Sequence, residues 1–281
     1  MCENEVRNII VSEIRGPSSM RGYRGLWHSL RVTHGIILPR DTVMKILRDV
    51  DPEGTEIRKA RRLRRRRYTS PGPNFSWHID GYDKLKPYGF PIHGCIDGFS
   101  RRILWLKLSR SNSNPRITAM YFINTLKELK LAPCKVITDC GTENVLIAAI
   151  QSKLTNNDEA HRYVTSTANQ RIENWWSLNR KGYTDWLIHF FKQMVDDNEI
   201  SLGNDIHMEL LWFVFSSLLQ TDLDKVRVEW NTHYIRRTRH ETVPGRTDEL
   251  FFLPEDSDLQ NKANISQCTM LKKHTQEKKT Y

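Results

Sequence analysis

The sequence predicts an α/β fold in which five strands alternate with helices. The first observation is a series of three short strand-like runs after Ser70-Pro71-Gly72-Pro73, each bounded by turn residues, at 75–80, 91–97 and 103–108. The second is the pattern beyond them, where helical and strand-like segments take turns. Together they give the element order βββαβαβα.

The later elements are justified by helix start signals and apolar periodicity. Pro115 stands where the first turn of a helix tolerates proline, and an apolar stripe at helical spacing follows it. After this helix the predicted elements are a strand, a helix, a short strand and a long helix, at 135–139, 145–154, 161–164 and 169–196.

Helical segments are predicted on both sides of this core. The apolar positions of GYRGLWHSL and LPRDTVMKIL indicate two short helices around a turn, and Asp51-Pro52 ends the second because proline disfavours a helical predecessor. Another helix is predicted over 206–231. The polar end of the chain lacks the apolar area needed to fold, so we expect disorder there. The predicted organisation is an N-terminal helix-turn-helix-like segment, a basic linker, a catalytic core, a helical extension and a tail, at 1–56, 57–73, 74–200, 201–254 and 255–281.

The charge favours a polyanionic partner. The chain of 281 residues has 43 Lys and Arg against 33 Asp and Glu, a formal net charge of +10 and a pI near 9.4. Nucleic acid is the leading candidate, whereas no amphipathic membrane helix or span is evident. No feature indicates a small-molecule substrate.

Eight cationic residues crowd into residues 57–68. The run is expected to contact DNA phosphates without sequence preference, although a nuclear import signal and a solvated linker are alternatives. The predicted phosphate contacts are Arg61, Arg62, Arg64, Arg65, Arg66 and Arg67.

The five cysteines are widely spaced and include no CxxC pair, so the sequence signals neither a disulfide framework nor a zinc finger. The start of the chain also lacks the basic and apolar pattern of a secretory signal. We therefore expect a reducing, intracellular and nuclear setting.

Three acidic residues follow apolar strands or open a helix. Asp80 ends the first predicted strand, Asp139 ends the fourth, and Glu173 lies in the first turns of the last helix. Each has an ordinary explanation: a solvated strand residue for Asp80, a turn aspartate that caps the helix after Gly141 for Asp139, and a helix-dipole contact for Glu173.

The segments around these acids resemble the core domain of retroviral-type integrases, and most of all transposon-derived integrase cores of animal genomes. The resemblance is carried by HIDGYDKL, TDCGTEN and NQRIENWWSLNR. It implies a ribonuclease H-like mixed five-stranded sheet flanked by helices, with Asp80, Asp139 and Glu173 as catalytic metal ligands. Two departures are Cys140, where retroviral members usually have Asn, and the lack of a glycine shortly before Glu173.

The implied cofactor is a pair of Mg²⁺ or Mn²⁺ ions. Phosphodiester transfer passes through an anionic state that two ions about 4 Å apart stabilise, and such hard cations prefer oxygen ligands. Three carboxylates offset only part of the charge of two dications, so the second ion should bind well only with the substrate phosphate. The hypothesis assigns Asp80 to both ions, Asp139 to one and Glu173 to the other.

Other residues near these motifs have weaker claims. The helical spacing from Glu173 places Arg180 and Lys181 where they could meet DNA phosphates. Asp83, Asp97 and Glu143 are acids easily mistaken for ligands, with supporting roles possible for the last two. His78 is interpreted as a structural residue of its strand.

Two functions from different classes remain open. The first is a metal-dependent DNA strand transferase or nuclease that works as a homo-oligomer. The second is a domesticated DNA- or protein-binding module that keeps the fold without turnover. No zinc-binding domain or SH3-like barrel is evident beside the core, which favours the second.

Overall fold

The computed structural model describes residues 3–16, 21–57, 68, 70–237 and 243–254. These belong to two compact units. One comprises Met1–Arg66, Lys84–Gly89 and Trp175–Phe215, and the other comprises Arg67–Asp83, Phe90–Asn174 and Ser216–Tyr281. The predicted arginine contacts of 61–67 and the predicted disordered tail of 255–281 lie outside the described residues.

The second unit is built on a mixed five-stranded sheet. Its strand order is β3-β2-β1-β4-β5, with β1 antiparallel to β2, β2 antiparallel to β3, and β4 parallel to both β1 and β5. The ribonuclease H-like sheet and the order βββαβαβα predicted from the sequence are confirmed. The strands are β1 (Ser76–Tyr82), β2 (Ile92–Asp97), β3 (Ile103–Leu108), β4 (Lys135–Thr138) and β5 (His161–Tyr163).

Helical segments precede, alternate with and follow the strands along the chain. The helices are α1 (Glu3–Arg15), α2 (Tyr23–Thr33), α3 (Arg40–Val50), α4 (Pro52–Ile57), α5 (Pro115–Leu129), α6 (Val145–Thr155), α7 (Gln170–Asn179), α8 (Asp185–Asp196), α9 (Asp205–Thr232) and α10 (Thr247–Phe252). A two-stranded ribbon, β6 (Tyr234–Ile235) with β7 (Gly245–Arg246), precedes α10. Within the described ranges, no helix has both the length and the apolar character needed to cross a bilayer.

One face of β1 packs on the helices that follow the meander. Trp77 and Ile79 are fully buried in a cluster with Phe122 of α5 and Ile147 of α6, and the Trp77 and Phe122 rings meet edge to face at 5.9 Å. Side chains alternate along a strand, so His78 and Asp80 belong to the opposite face. This apolar cluster thus lies on one face of β1, and Asp80 lies on the other.

The start of α5 confirms the role predicted for Pro115. Proline occupies the first turn of the helix, where its missing N–H costs nothing, and the side chain of Asn114 accepts from the backbone N–H of Arg116 at 3.0 Å. Local sequence therefore determines where this helix begins.

Helix α9 covers the edge strand β3 through two side-chain amides. Asn231 accepts from the backbone N–H of Ile103 at 2.8 Å and donates to its carbonyl at 2.9 Å. Gln220, three turns earlier, accepts from the N–H of Leu108 at 2.9 Å and donates to the carbonyl of Leu106 at 3.2 Å. These amides replace the neighbouring strand that an edge strand lacks.

The first unit contains the predicted pair of short helices, α2 and α3. Leu26 and Leu30 of α2 pack with Val43 of α3, and α1 adds Val6 and Ile10 to the same cluster. Helix α1 was not predicted from the sequence. Whether the pair acts as a DNA-binding helix-turn-helix stays a prediction.

Helix α3 ends at Val50, as the Asp51-Pro52 pair predicts. Pro52 then opens the short helix α4, which was not predicted from the sequence, and the Asp51 carboxylate accepts from the backbone N–H of Gly54 at 3.0 Å. Proline at a first helical position and an aspartate cap explain the restart.

The long helix predicted over 169–196 is interrupted. Helices α7 and α8 are joined by a π-helical segment, Arg180–Thr184, in which Asn179 Nδ2 donates to Thr184 Oγ1 at 3.0 Å. A π segment inserts extra backbone and shifts the phase of the side chains after it. Arg180 and Lys181 were placed relative to Glu173 by assuming one continuous α-helix. Both residues lie in the π segment, so the helix face that carries Glu173 does not continue into α8.

Candidate active site at the ends of the central strands

Asp80 and Asp139 come to the same level on neighbouring strands. Strands β1 and β4 run parallel with His78 paired to Ile137. Two residues further along this register, Asp80 lies beside Asp139, which directly follows β4. On the other side, the partner of Asp80 on β2 is Gly94, which has no side chain to fill the space. Sequence reasoning selected both acids, and the sheet places them next to each other.

Glu173 enters the same region through the start of α7. The backbone N–H of Glu173 donates to the carbonyl of Asn169 at 3.2 Å, and Asn169 Nδ2 donates to the carbonyl of Ile79 at 3.0 Å. The first turn of α7 is therefore fixed to the residue that precedes Asp80. Asp80, Asp139 and Glu173 are all about half-buried.

The loop after β4 holds the Asp139 carboxylate through a side chain. Asn144 Nδ2 donates to Asp139 Oδ1 at 2.9 Å and to Glu143 Oε1 at 2.9 Å. This bond comes from a side-chain amide and not from a backbone N–H of the next helix, so Asp139 does not act as the helix cap considered above. Asn144 is 1% exposed, and its other amide atom, Oδ1, is buried without a hydrogen-bond partner.

Gly141 makes room for the second carboxylate of this loop. A Cβ atom on Gly141 would stand 1.8 Å from Glu143 Oε1, so the Glu143 side chain occupies the space that a larger residue would fill. The glycine of the TDCGTEN motif thus allows Glu143 and Asp139 to share one amide donor.

The donor chemistry of this region suits Mg²⁺ or Mn²⁺, since both prefer carboxylate oxygens. In the part of the chain that the structure describes, however, no three or more His, Cys, Asp or Glu side chains are grouped so that they could hold a metal ion. Carboxylates repel one another unless a cation lies between them. The side chains fit the cofactor in kind, and their roles as ligands stay a prediction.

Asp97 is a structural acid. It is fully buried, and its carboxylate accepts from the backbone N–H groups of Asn74 at 2.7 Å, Phe99 at 3.1 Å and Ser100 at 2.7 Å. The Ser100 hydroxyl donates a fourth bond at 2.8 Å. Burial raises the pKa of the Asp97 carboxyl above its ordinary value, and these hydrogen bonds offset part of that rise. Its register partner is Trp77, so it lies three residues from Asp80 along β1, toward the opposite end.

Asp83 also has a structural partner. It is exposed, and its carboxylate accepts from Asn112 Nδ2 at 2.6 Å. The same nitrogen donates to the carbonyl of Ile92 at 3.1 Å. Asp83 therefore helps to hold the loop before α5 against β2.

His78 is buried between two polar partners. Its Nδ1 lies 2.7 Å from Asn169 Oδ1, and its Nε2 lies 2.6 Å from the hydroxyl of Tyr68. Burial lowers the pKa of His78 to about 4, despite the opposing bond to Asn169. The imidazole is thus neutral at pH 7, in agreement with its interpretation as a structural residue.

Sequence reasoning missed the importance of Tyr68 and Asn169. Asn169 has a recognisable signal, because an asparagine at the start of a helix four residues before an acid is a good cap candidate. Tyr68 has no comparable signal, since its contacts with His78 and Arg171 form only in the folded protein.

The basic residues predicted to bind DNA are only partly described. Arg180 Nε donates to Asp185 Oδ1 at 2.8 Å in an exposed ion pair, and Lys181 is exposed beside it. Contacts of Arg180 and Lys181 with DNA stay predictions.

Comparisons with known proteins identify a protein family and solved structures that this chain resembles. A family model described as an integrase core domain matches residues 67–253. No curated protein matches significantly. The catalytic core domain of HTLV-2 integrase in complex with magnesium, in a trimeric form, is 14% identical with a TM-score of 0.37, over 64% of this chain and 97% of that one. A chain of the simian T-cell lymphotropic virus intasome in complex with PP2A regulatory subunit B56 gamma is 14% identical with a TM-score of 0.38, over 90% of this chain and 81% of that one.

Proposed function

Because the chain belongs to the integrase core domain family, we propose that it is a DNA-binding enzyme that cuts and joins phosphodiester bonds with the help of divalent metal ions. The observation that carries the proposal is the register between β1 and β4, which brings Asp80 level with Asp139. Two carboxylates from separate strand ends, on the face of β1 opposite Trp77 and Ile79, form a natural start of a cation site.

In this proposal, Asp80, Asp139 and Glu173 hold Mg²⁺ or Mn²⁺. When bound, the ions supply charge stabilisation to the phosphate and lower the pKa of the attacking hydroxyl or water. The nucleophile, a water or a DNA 3′-hydroxyl, forms a new P–O bond as the opposite P–O bond breaks. The proton of the nucleophile passes to solvent, and the leaving 3′-oxygen takes up a proton. The role of the protein is to position the carboxylates around the phosphate.

The second part of the proposal is that the protein binds DNA. The net charge of +10 and the eight cationic residues of the run at 57–68 suit a polyanion. If all eight engage phosphates, the logarithm of the DNA association constant should fall with the logarithm of salt concentration with a slope of about −7. Fluorescence anisotropy with a labelled duplex at several salt concentrations measures it, and a slope near zero would contradict this role. We also propose a nuclear location, since the basic run at 57–68 can act as an import signal, and a homo-oligomer as the catalytic form, since joining brings two DNA segments together.

The proposed activity is tested by nicking of a labelled duplex with Mg²⁺ or Mn²⁺. The wild-type protein should nick only when a divalent ion is present. Asp139→Asn should lower the rate by at least about a hundredfold, because it removes the negative charge of a proposed metal ligand. Asp83→Asn is the matched control, because it makes the same chemical change at an exposed aspartate with a structural partner. Equal rates in the wild type and Asp139→Asn would exclude the mechanism.

One observation favours the second candidate, a binding module without turnover. The Asp139 carboxylate already accepts from Asn144, which ties it to Glu143. Under that function, DNA binding persists in Asp80→Asn, does not depend on Mg²⁺ or Mn²⁺, and the wild type shows no nicking. The nicking and anisotropy measurements together separate the two functions.

A further inference from the structure

Tyr68 lies at one end of a chain of hydrogen bonds that leads toward Glu173. The Tyr68 hydroxyl is 2.6 Å from His78 Nε2 and 2.9 Å from Ser76 Oγ. Both partners belong to β1, the strand that carries Asp80. Burial raises the pKa of Tyr68, so the phenol keeps its proton at pH 7.

The direction of each hydrogen bond follows from Asn169. Its Nδ2 donates to the carbonyl of Ile79 at 3.0 Å, so its Oδ1 must be the atom that faces His78 Nδ1. An amide oxygen only accepts, so His78 Nδ1 carries the proton and Nε2 is the acceptor. The Tyr68 hydroxyl therefore donates to His78 Nε2, and Ser76 Oγ donates to the Tyr68 oxygen. All donors and acceptors of this chain are matched.

The chain ends at the first turn of α7. The carbonyl of Asn169 accepts from the N–H of Glu173 at 3.2 Å. Asn169 is fully buried, so its side chain is held on β1 at the same time as its backbone opens the helix. A displacement of Asn169 would carry the first turn of α7 with it, and with that turn the carboxylate of Glu173.

Tyr68 also contacts α7 directly. The guanidinium carbon of Arg171 lies 4.3 Å from the centre of the Tyr68 ring, and Arg171 Nη2 donates to the carbonyl of Tyr68 at 3.5 Å. Burial lowers the pKa of Arg171, and the nearby Tyr68 and Asp97 oppose that shift. One tyrosine thus joins β1 through its hydroxyl and α7 through its ring and carbonyl.

We propose that Tyr68, His78 and Asn169 are positioning residues that set the distance of Glu173 from Asp80. We call the hydrogen-bonded series Tyr68, His78 and Asn169 the relay. Its importance for catalysis rests on the proposed function, but its effect on the first turn of α7 does not. Tyr68 also directly follows Arg67, the last residue of the arginine-rich run. The same residue that positions Glu173 therefore connects the predicted DNA-binding run to the sheet.

The relay is tested by hydrogen–deuterium exchange of the full chain, without metal or DNA. Tyr68→Phe removes only the hydroxyl and should speed exchange of the amides of Glu173 and its neighbours in the first turn of α7 about tenfold, because local opening becomes easier. The amides of β2 and β3 should exchange as in the wild type, which separates a local effect from a global loss of stability. Tyr234→Phe, the same change at an exposed tyrosine, is the control and should leave α7 unchanged.

A kinetic measurement tests the link to catalysis. In the nicking assay, Tyr68→Phe should lower the rate at saturating DNA by about tenfold while the DNA concentration for half-saturation stays the same, as expected for a group that acts through another. Asn169→Ala should show the larger effect in both measurements. Should Asn169→Ala fail to fold, Tyr68→Phe decides alone.

The outcomes separate this inference from the proposed function. Unchanged exchange in α7 of Tyr68→Phe overturns the relay, even where the wild type nicks DNA. Faster exchange confined to α7 in a protein that does not nick supports the relay and rejects the proposed function. Faster exchange together with an unchanged nicking rate overturns the positioning role.

Discussion

Asp80 and Asp97 show how two carboxylates on paired strands can have opposite uses. Asp97 is fully buried and accepts hydrogen bonds from three backbone N–H groups and a hydroxyl. Asp80 is half-buried on the other side of β1, where its neighbour on β2 is a glycine. The first environment uses the charge to hold a turn, and the second is the one in which we propose that a cation binds.

Asp97→Ala tests this distinction at the residue scale. The change leaves three backbone N–H groups, two of them buried, without an acceptor, so we expect a loss of stability of about 3 kcal/mol or more. The free energy of unfolding from urea titration measures it. Ser100→Ala removes one of the four donors and is the milder companion variant, with an expected loss of about 1 kcal/mol. A loss below that of Ser100→Ala in the Asp97 variant would contradict a structural role.

The residue scale also shows what the sequence could reveal of the site. Asp80 and Asp139 end apolar runs, and Glu173 lies in the first turn of a predicted helix, so local patterns point to all three. Tyr68 has no such pattern, because its partners are reached only once β1 and α7 are assembled. The pairing of Glu143 with Asp139 through Asn144 is likewise a product of the folded loop.

At the scale of elements, the edge strand β3 depends on α9. Two side-chain amides, Gln220 and Asn231, satisfy backbone groups that would otherwise form an open sheet edge. Eleven residues of helix rise about 16 Å, close to the length of five residues of strand, so both amides reach the same strand. The apolar pattern predicts α9 but not which polar residues bind the sheet.

Asn231→Ala should therefore destabilise the sheet unit. Asn231 is 5% exposed, and its loss leaves a buried N–H and carbonyl of Ile103 unpaired, at a cost of about 2 to 4 kcal/mol. Amide exchange at Ile103 should rise, as should aggregation of the variant, since an open edge pairs with other chains. Thr232→Ala, at the next position of α9, is the control. If the Ile103 amide of Asn231→Ala exchanges at the wild-type rate, helix α9 does not protect the edge of the sheet.

At the scale of the whole molecule, buried histidines link stability to pH. Burial lowers the pKa of His78 and of His93 to about 4, against about 6.5 in an unfolded chain. Their neutral forms stabilise the fold fully above pH 6.5, and this contribution is lost as the pH falls from 6.5 toward 4, because only the unfolded chain binds the proton there.

Between pH 8 and pH 5, each of these histidines should lower the free energy of unfolding by about 2 kcal/mol. Urea titrations at pH 8, 6.5 and 5 measure the change. His93→Gln should show a smaller loss over this range, because one titrating group is gone. A wild-type stability that is flat or rises as the pH falls to 5 would contradict the burial of neutral histidines.

The order of elements along the chain was predictable because each strand and helix has its own period and its own end signals. The division into two units and helix α1 were not predicted from the sequence. The π segment was missed because residues 169–196 were treated as one continuous α-helix. The division into units depends on contacts between distant segments, which a pattern along the chain does not contain.

The central claim is that Asp80 and Asp139 hold a divalent cation together, and Mn²⁺ binding tests it most directly. Titration of Mn²⁺ into the wild-type chain, followed by electron paramagnetic resonance, should show a bound ion. Binding should weaken at least about tenfold in Asp80→Asn and in Asp139→Asn, and remain unchanged in Asp83→Asn. Mn²⁺ binding that is the same in the wild type and in all three variants would contradict the account.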